Sequence, residues 1–457
     1  MNNLLKKANA KKLKFNKKNK VMENEDSDGE ISIDNVETLE EDTLGTILNE
    51  NYLVCKYLNK GTFSRVWLLH HLKDSEFYAG KFFNSESIEE YKNELSILKQ
   101  YTTYDNNSKN NLNYIDHFEC ELNGNKVYVI VTQLYGKALN QILDEIENDD
   151  YHVAFKNCIL ILKSMCQSVA KLHELNILHT DLKFDNVLTD SYDRDIIRLI
   201  NKIISLELNS VLEEYYDKSL EEYKVNDMNK NQRKKYKRKL KAKSHKYLKD
   251  FYSKEYFELN KETLEHSNIV EDDNEKHKDI KIINIPEALK FVLCDYSNSL
   301  LEKEVNNESE YQIRAYRSAE NLLSITYTKR SESWSLGCIL WDLLMNELIF
   351  EPNLKQNKLE RDREQLSLME KYLGKISKDI TMDCPRTFEL YDDNGKILKN
   401  KKVEREELED KLKKLRTDLT EEHIALICDF LRECWNYDYL KRKTPEELLK
   451  HKLLNLF

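Results

Sequence analysis

Hydrophobic and polar positions settle into a regular pattern from Asn51 onward. Tyr52-Leu53-Val54, Val66-Trp67-Leu68-Leu69 and Phe77-Tyr78-Ala79-Gly80-Lys81-Phe82-Phe83 are rich in β-branched and aromatic residues, which predicts three successive strands. The period then changes: Ile88, Tyr91, Leu95 and Leu98 share one face of a helix over 86–100. Val127-Tyr128-Val129-Ile130-Val131 predicts a buried strand ending at Gln133-Leu134-Tyr135-Gly136, a hinge position. A long amphipathic helix is expected over 155–175. This is the order of an α+β chain, a small β-rich lobe with one helix (45–135) and then a larger, mainly helical lobe (136–457).

Residues 189–286 interrupt the second lobe. They contain helical patches and a basic run, 230–249, with eleven Lys or Arg and no acid. Core-like character resumes at Phe291-Val292-Leu293. The simplest reading is a long charged insertion in a surface hairpin, which adds little loop-closure entropy. Residues 1–44 lack a hydrophobic period. Eight Lys and no acid in 1–20 precede a block holding Glu23, Glu25, Asp26, Asp28, Glu30, Glu40, Glu41 and Asp42. This charged tail is expected to be disordered, its opposite signs able to collapse on each other or on the folded part.

In 457 residues, a hydrophobic fraction of 40% supports a substantial core, and a charged fraction of 34% suits the tail and insertion. A net charge of −10 favours cationic partners over nucleic acid for the chain as a whole. The nine Cys form no CxxC pair, so neither zinc nor a disulfide scaffold is indicated, and reduced thiols of an intracellular protein are expected. The N-terminus has no apolar signal core, and no run approaches a membrane span. A soluble monomer of the cytoplasm or nucleus, with no membrane partner, is the expectation.

His179-Thr180-Asp181-Leu182-Lys183-Phe184-Asp185-Asn186 is the stretch richest in chemistry. Phosphoryl transfer asks a protein for positioning and charge neutralisation more than for covalent help. In such a loop Asp181 accepts the proton of the attacking hydroxyl, Asn186 offers a hard oxygen to Mg²⁺, and Lys183 faces the transferring phosphate. Alone the loop is also an ordinary polar turn, since Asp and Asn are common turn residues. Its partners lie elsewhere. Asn59-Lys60-Gly61-Thr62-Phe63-Ser64-Arg65-Val66 sits between two strand patterns, where backbone N–H groups need small residues to approach a phosphate. Lys81 emerges from a buried strand, Glu94 follows thirteen residues later on the helix, and Asp295 ends the strand Val292-Leu293-Cys294.

Together these residues resemble the eukaryotic protein kinases, and within them the SR-protein kinase family. The family-specific features are Gly45-Thr46-Ile47-Leu48-Asn49, Gly61-Thr62-Phe63-Ser64-Arg65-Val66-Trp67-Leu68, Thr180 before Asp181, Arg314-Ala315-Tyr316-Arg317-Ser318, Ile349-Phe350-Glu351-Pro352 and Leu373-Gly374-Lys375. The resemblance covers about 45–457 apart from the insertion, and implies a bilobal kinase fold that uses ATP and Mg²⁺ to phosphorylate Ser in Arg/Ser-rich protein substrates. Within it, Asn59, Lys60, Gly61, Thr62, Phe63, Ser64 and Val66 cover ATP in the cleft between the lobes. Lys81, set by Glu94, holds the α- and β-phosphates, and Gln133 and Tyr135 form the adenine hinge behind the gatekeeper Thr132. Asn186 and Asp295 carry Mg²⁺, and Asp181 and Lys183 are catalytic. Glu320 and Arg442 are expected as a buried ion pair, and Glu332, where the family usually has Asp, as a looser cap on the catalytic loop. Thr180 cannot pair with an activation-loop phosphate, which implies activity without loop phosphorylation. Acids near Glu351, Glu360, Asp362 and Glu364 either read an Arg-rich peptide or form a solvated helix face.

Two alternatives stand beside this reading. Ser297 in place of the family's Gly, with Asn59 and Glu332, motivates a pseudokinase scaffold; five matched site residues argue against it. The basic run 230–249 is a nucleic-acid tether, a nuclear-import address or, most commonly for such a run, a solvated helix.

Overall fold

A computed structural model describes residues 43–104, 112–144, 151–222, 228–266, 281–283, 290–382, 384–399 and 404–457. The charged tail expected over 1–44 therefore lies, but for its last two residues, outside the described residues. These residues divide into two compact units. One takes those up to Ile88, His117–Val131 and those within Leu199–Asn268; the other takes those within Glu89–Asp116, Thr132–Arg198 and Ile269–Phe457.

The first unit is built on a sheet of β1 (Ile47–Leu48), β2 (Tyr52–Lys60), β3 (Ser64–His71), β4 (Phe77–Phe83), β5 (Tyr114–Leu122) and β6 (Asn125–Gln133), in the order β1-β2-β3-β4-β6-β5. β2, β3 and β4 run antiparallel, with Val66 opposite Lys81. The alternation that predicted the strands buries Leu48, Tyr52, Val54, Trp67, Leu69, Phe82, Val129 and Val131 in one cluster.

The insertion forms three helices, Arg194–Ser205, Leu208–Glu222 and Lys230–His266. The last two meet through the rings of Tyr215 and Tyr247, stacked at 4.3 Å. The basic run is therefore not a fully solvated helix. Leu240, Ser244, Leu248 and Tyr252, four residues apart, form one buried stripe. Tyr252 donates to the Cys55 carbonyl at 2.7 Å, Lys249 Nζ to Thr46 Oγ1 at 3.1 Å, and Lys241 pairs with Glu50 at 2.6 Å. The stripe is hard to see in the sequence because lysines occupy nearly every position between its members.

The second unit is helical. Its centre holds the helices Phe155–Glu174 and Lys329–Met345, and three of the chain's four tryptophans, Trp334, Trp341 and Trp435, pack with Phe350 at ring separations of 5.0–6.5 Å. Gly337 makes that approach possible, since a Cβ there would meet the Trp435 indole nitrogen at 2.7 Å. Glu320 and Arg442 form the expected ion pair, with Nη1–Oε1 at 2.5 Å and Nη2–Oε2 at 2.7 Å, both fully buried. None of the nine cysteines forms a disulfide. Among the described residues no helix is long and apolar enough to cross a membrane.

Candidate active site

Within the sheet unit, Gly61, Thr62 and Phe63 form the turn between β2 and β3. Asn59 Oδ1 accepts from the Lys60 N–H at 2.8 Å, and the Gly61 N–H donates to the Ser64 carbonyl at 2.9 Å. Two of the loop's N–H groups are thus used within the loop itself. Ser64 is buried at the start of β3 and Phe63 is half-buried at the tip. Val66 and Lys81 are cross-strand neighbours, so both face the same side of the sheet.

Within the helical unit, the strand end Thr132-Gln133 runs into the segment predicted as a hinge. Gln133 exchanges bonds with Asn113, N–H to carbonyl at 3.0 Å and Oε1 from Nδ2 at 2.8 Å. Tyr192 donates to the Leu134 carbonyl at 3.0 Å, and burial pushes the Tyr135 phenol up to about 12. Gly136 is required here: a Cβ would stand 2.0 Å from the Ser191 carbonyl oxygen.

The catalytic loop lies between the helix Phe155–Glu174 and the strand Val187–Thr189. Asp181 Oδ2 receives both Lys183 Nζ, at 3.0 Å, and Asn186 Nδ2, at 3.1 Å. Oδ1 accepts from no group among the described residues. The Asn186 amide also donates to the Asp181 carbonyl at 2.7 Å, which turns its oxygen away as a free acceptor. Burial opposes the Lys183 ammonium, but Asp181, Asp185 and Asp295 outweigh it and raise its pKa. His179 Nδ1 accepts from the Asp181 N–H at 3.3 Å, so Nε2 carries the ring proton and donates to the Cys294 carbonyl at 3.0 Å.

Thr180 has φ 68°, a costly conformation for a β-branched residue. All three of its polar groups are committed: N–H to Glu332 Oε1 at 2.7 Å, Oγ1 to the Asn298 carbonyl at 2.9 Å, and carbonyl from the Gln312 N–H at 2.8 Å. Glu332 thus caps the loop as expected, and not loosely. Burial pushes its carboxyl pKa up, but His173, 2.6 Å away, with His179 and the Thr180 N–H, holds it below its ordinary value.

Asp295 follows the strand Phe291–Leu293 with φ 63°. Tyr296 is buried as a Phe would be, against His179 at 5.6 Å, and its hydroxyl reaches the Leu293 carbonyl at 2.9 Å. Ser297 Oγ sits between Glu94 Oε2, 3.1 Å away, and Asp295 Oδ1. Its single proton lies between two carboxylates, so Ser297 ties the helix Ile88–Tyr104 to the Asp295 segment. The structure thus brings Glu94, Asp181, Lys183, Asn186 and Asp295 into one unit, and the loop residues with Lys81 into the other.

Sequence reasoning missed Gln312. Its side chain donates to the Ser331 carbonyl at 2.9 Å and Ser335 Oγ at 2.6 Å, and accepts from the Ser318 N–H at 2.9 Å. Beside it Arg317 pairs with Glu310 at 2.8 Å. Burial works against the Glu310 carboxylate, but Arg317 and Lys358 outweigh it and bring its pKa down to about 2. Asp362, offered from sequence as a peptide-reading acid, is instead fully buried between Arg314 at 2.6 Å and Arg386 at 2.9 Å.

The protein kinase domain model matches residues 52–210 and 212–454. This chain belongs to the protein kinase family. It is similar to a chain of Acanthamoeba polyphaga mimivirus named as a serine/threonine-protein kinase, 26% identical over 94% of this chain and 92% of that one. A dual specificity protein kinase of Schizosaccharomyces pombe is 23% identical over 88% of this chain, which spans 46% of that protein. A crystal structure of a kinase domain shares the fold at TM-score 0.57 and 20% identity, covering 90% of this chain and 97% of that one. The bilobal kinase fold expected from the sequence is therefore the fold of this protein, a transferase.

Proposed function

We propose that this kinase transfers the γ-phosphate of ATP to Ser in Arg-rich, SR-type protein substrates. The observation that carries the transfer is the arrangement of Asp181, whose Oδ2 is occupied by Lys183 and Asn186 while Oδ1 is left for a substrate hydroxyl. The donor set fits a magnesium nucleotide: Asn186 presents a hard amide oxygen, Asp295 a carboxylate, and Lys183 an ammonium of raised pKa. The bound nucleotide and metal supply the phosphoryl group and neutralise its charge. Asp181 Oδ1 takes the hydroxyl proton, Lys183 steadies the transferring group, and Asn186 with Asp295 would hold the metal. As part of the same proposal, Lys81 and the loop from Asn59 to Val66 are the nucleotide-binding residues of the sheet unit, and Glu94, Gln133 and Tyr135 those of the helical unit.

Substrate preference is supported by charge. Outside residues 1–20, 21–42 and 230–249 the chain has 53 basic and 72 acidic residues, so its kinase body is strongly acidic and favours Arg-rich partners. An Arg/Ser-repeat peptide is expected to be phosphorylated at least about tenfold more efficiently than a neutral Ser peptide, with the difference shrinking as salt rises. Equal kcat/KM for the two peptides would remove the Arg-directed part. The dual specificity of one relative makes phospho-amino-acid analysis the second readout: phosphoserine is expected, phosphotyrosine not.

Activity without loop phosphorylation is part of the same proposal, because Gln312, Arg317 and Glu310 brace the segment that a phosphate would otherwise order. Phosphatase treatment should leave kcat unchanged. Gln312→Ala, which strands buried partners, should lower it roughly 10–100-fold. A phosphatase-sensitive enzyme indifferent to Gln312→Ala would contradict this.

A further inference from the structure

The helix Lys230–His266 carries a charge that phosphoryl transfer does not use. Lys234, Lys235, Lys237, Arg238 and Lys239 are exposed, and among the described residues no carboxylate pairs with any of the five. Like charges stand at i,i+4 in Lys234 and Arg238, Lys235 and Lys239, and Lys237 and Lys241, which destabilises an isolated helix. They occupy its N-terminal half, where the backbone dipole is also positive, and its first turn holds no acid. An anion lying along this face would relieve both effects.

The same chain contains a complementary segment. Residues 23–42 hold ten Asp or Glu and no Lys or Arg. This segment joins the fold at Thr43, and three residues later Thr46 accepts from Lys249 of the helix at 3.1 Å; Glu50 meets Lys241 at 2.6 Å. Lys234 is fifteen residues along the helix from Lys249, about 22 Å. Twenty residues of extended chain reach about 66 Å, so the span is easily covered. A tethered segment acts at an effective concentration on the order of millimolar, which a polyanion from solution must overcome. The Lys block at 1–20 is the internal competitor. The helix lysines are already fixed on a folded scaffold, so pairing with them orders one tail segment rather than two.

We propose that residues 23–42 lie along the Lys234 to Lys239 face of the insertion helix and neutralise it in cis. Zero-length carbodiimide coupling of the full chain, read by mass spectrometry, tests this directly. The expected product at low salt is an amide between a carboxylate of residues 23–42 and Lys234, Lys235, Lys237 or Lys239, lost at about 0.5 M salt. Coupling confined to the lysines of residues 1–20, or none, overturns the proposal. A second arm uses a single-stranded RNA oligonucleotide. Changing the ten tail carboxylates to amides should raise its affinity about tenfold or more by uncovering the face. Equal RNA binding by the wild type and the amide variant would mean an open nucleic-acid surface, and would also overturn it.

Discussion

Asp181→Ala should lower kcat roughly 10²–10⁴-fold, the usual contribution of a positioned general base. Nucleotide affinity should change little. The reason lies in the Asn186 amide, which is held by the Asp181 carbonyl at 2.7 Å as well as by its carboxylate. Alanine keeps that carbonyl, so the Asn186 amide oxygen stays aimed while the carboxylate proposed as the proton acceptor is lost. A variant that loses nucleotide binding and turnover in parallel would instead mark Asp181 as a structural residue of the loop. Lys183→Ala provides the companion measurement, because it removes the cation 3.0 Å from Asp181 and leaves the base in place.

Arg442→Leu should destabilise the helical unit by about 3–5 kcal/mol, read as a lower urea midpoint, because it leaves the Glu320 carboxylate buried without its partner. Adding Glu320→Gln to the same chain should recover much of the loss, since a buried pair is costly chiefly when one partner remains charged. The pH dependence has a definite sign. In the wild type burial pushes the Glu320 pKa up, but Arg442 and Ser331 outweigh it and hold it below 4.5. The pair therefore contributes stability above that pH and loses it as pH falls through the lower folded value. In Arg442→Leu the deficit should shrink on acidification, as Glu320 becomes able to protonate. A deficit that grows on acidification would contradict the ion-pair account.

Much of this was legible in the residues because the chemistry needs particular types at particular spacings. Asp295 ends an apolar run, Asp181 and Asn186 stand five residues apart in one polar loop, and the strand and helix periods around Lys81 and Glu94 are clean. Glu320 and Arg442 were expected as a pair from the resemblance, and they meet with both oxygens engaged. What was not legible depended on long-range geometry. Gln312 carries no sequence signal, since its value comes from three side-chain bonds, to Ser318, Ser331 and Ser335, and a backbone bond to Thr180 that only the folded chain brings together. The strain at Thr180 likewise follows from Glu332, Asn298 and Gln312 converging on one residue. Asp362 looked like one acid in a charged helix, but its burial between two arginines follows from how separate segments pack. The docked stripe of the insertion helix was hidden because the intervening lysines dominate its composition.

The central claim, phosphoryl transfer at Asp181, is tested most directly by incubating the full chain with γ-³²P-labelled ATP, Mg²⁺ and an Arg/Ser-repeat peptide, with Asp181→Ala alongside. The account predicts label on peptide serine with the wild type and almost none with the variant. Bound ATP with no label on this peptide or on any basic protein acceptor would contradict it and leave a kinase fold acting as a scaffold.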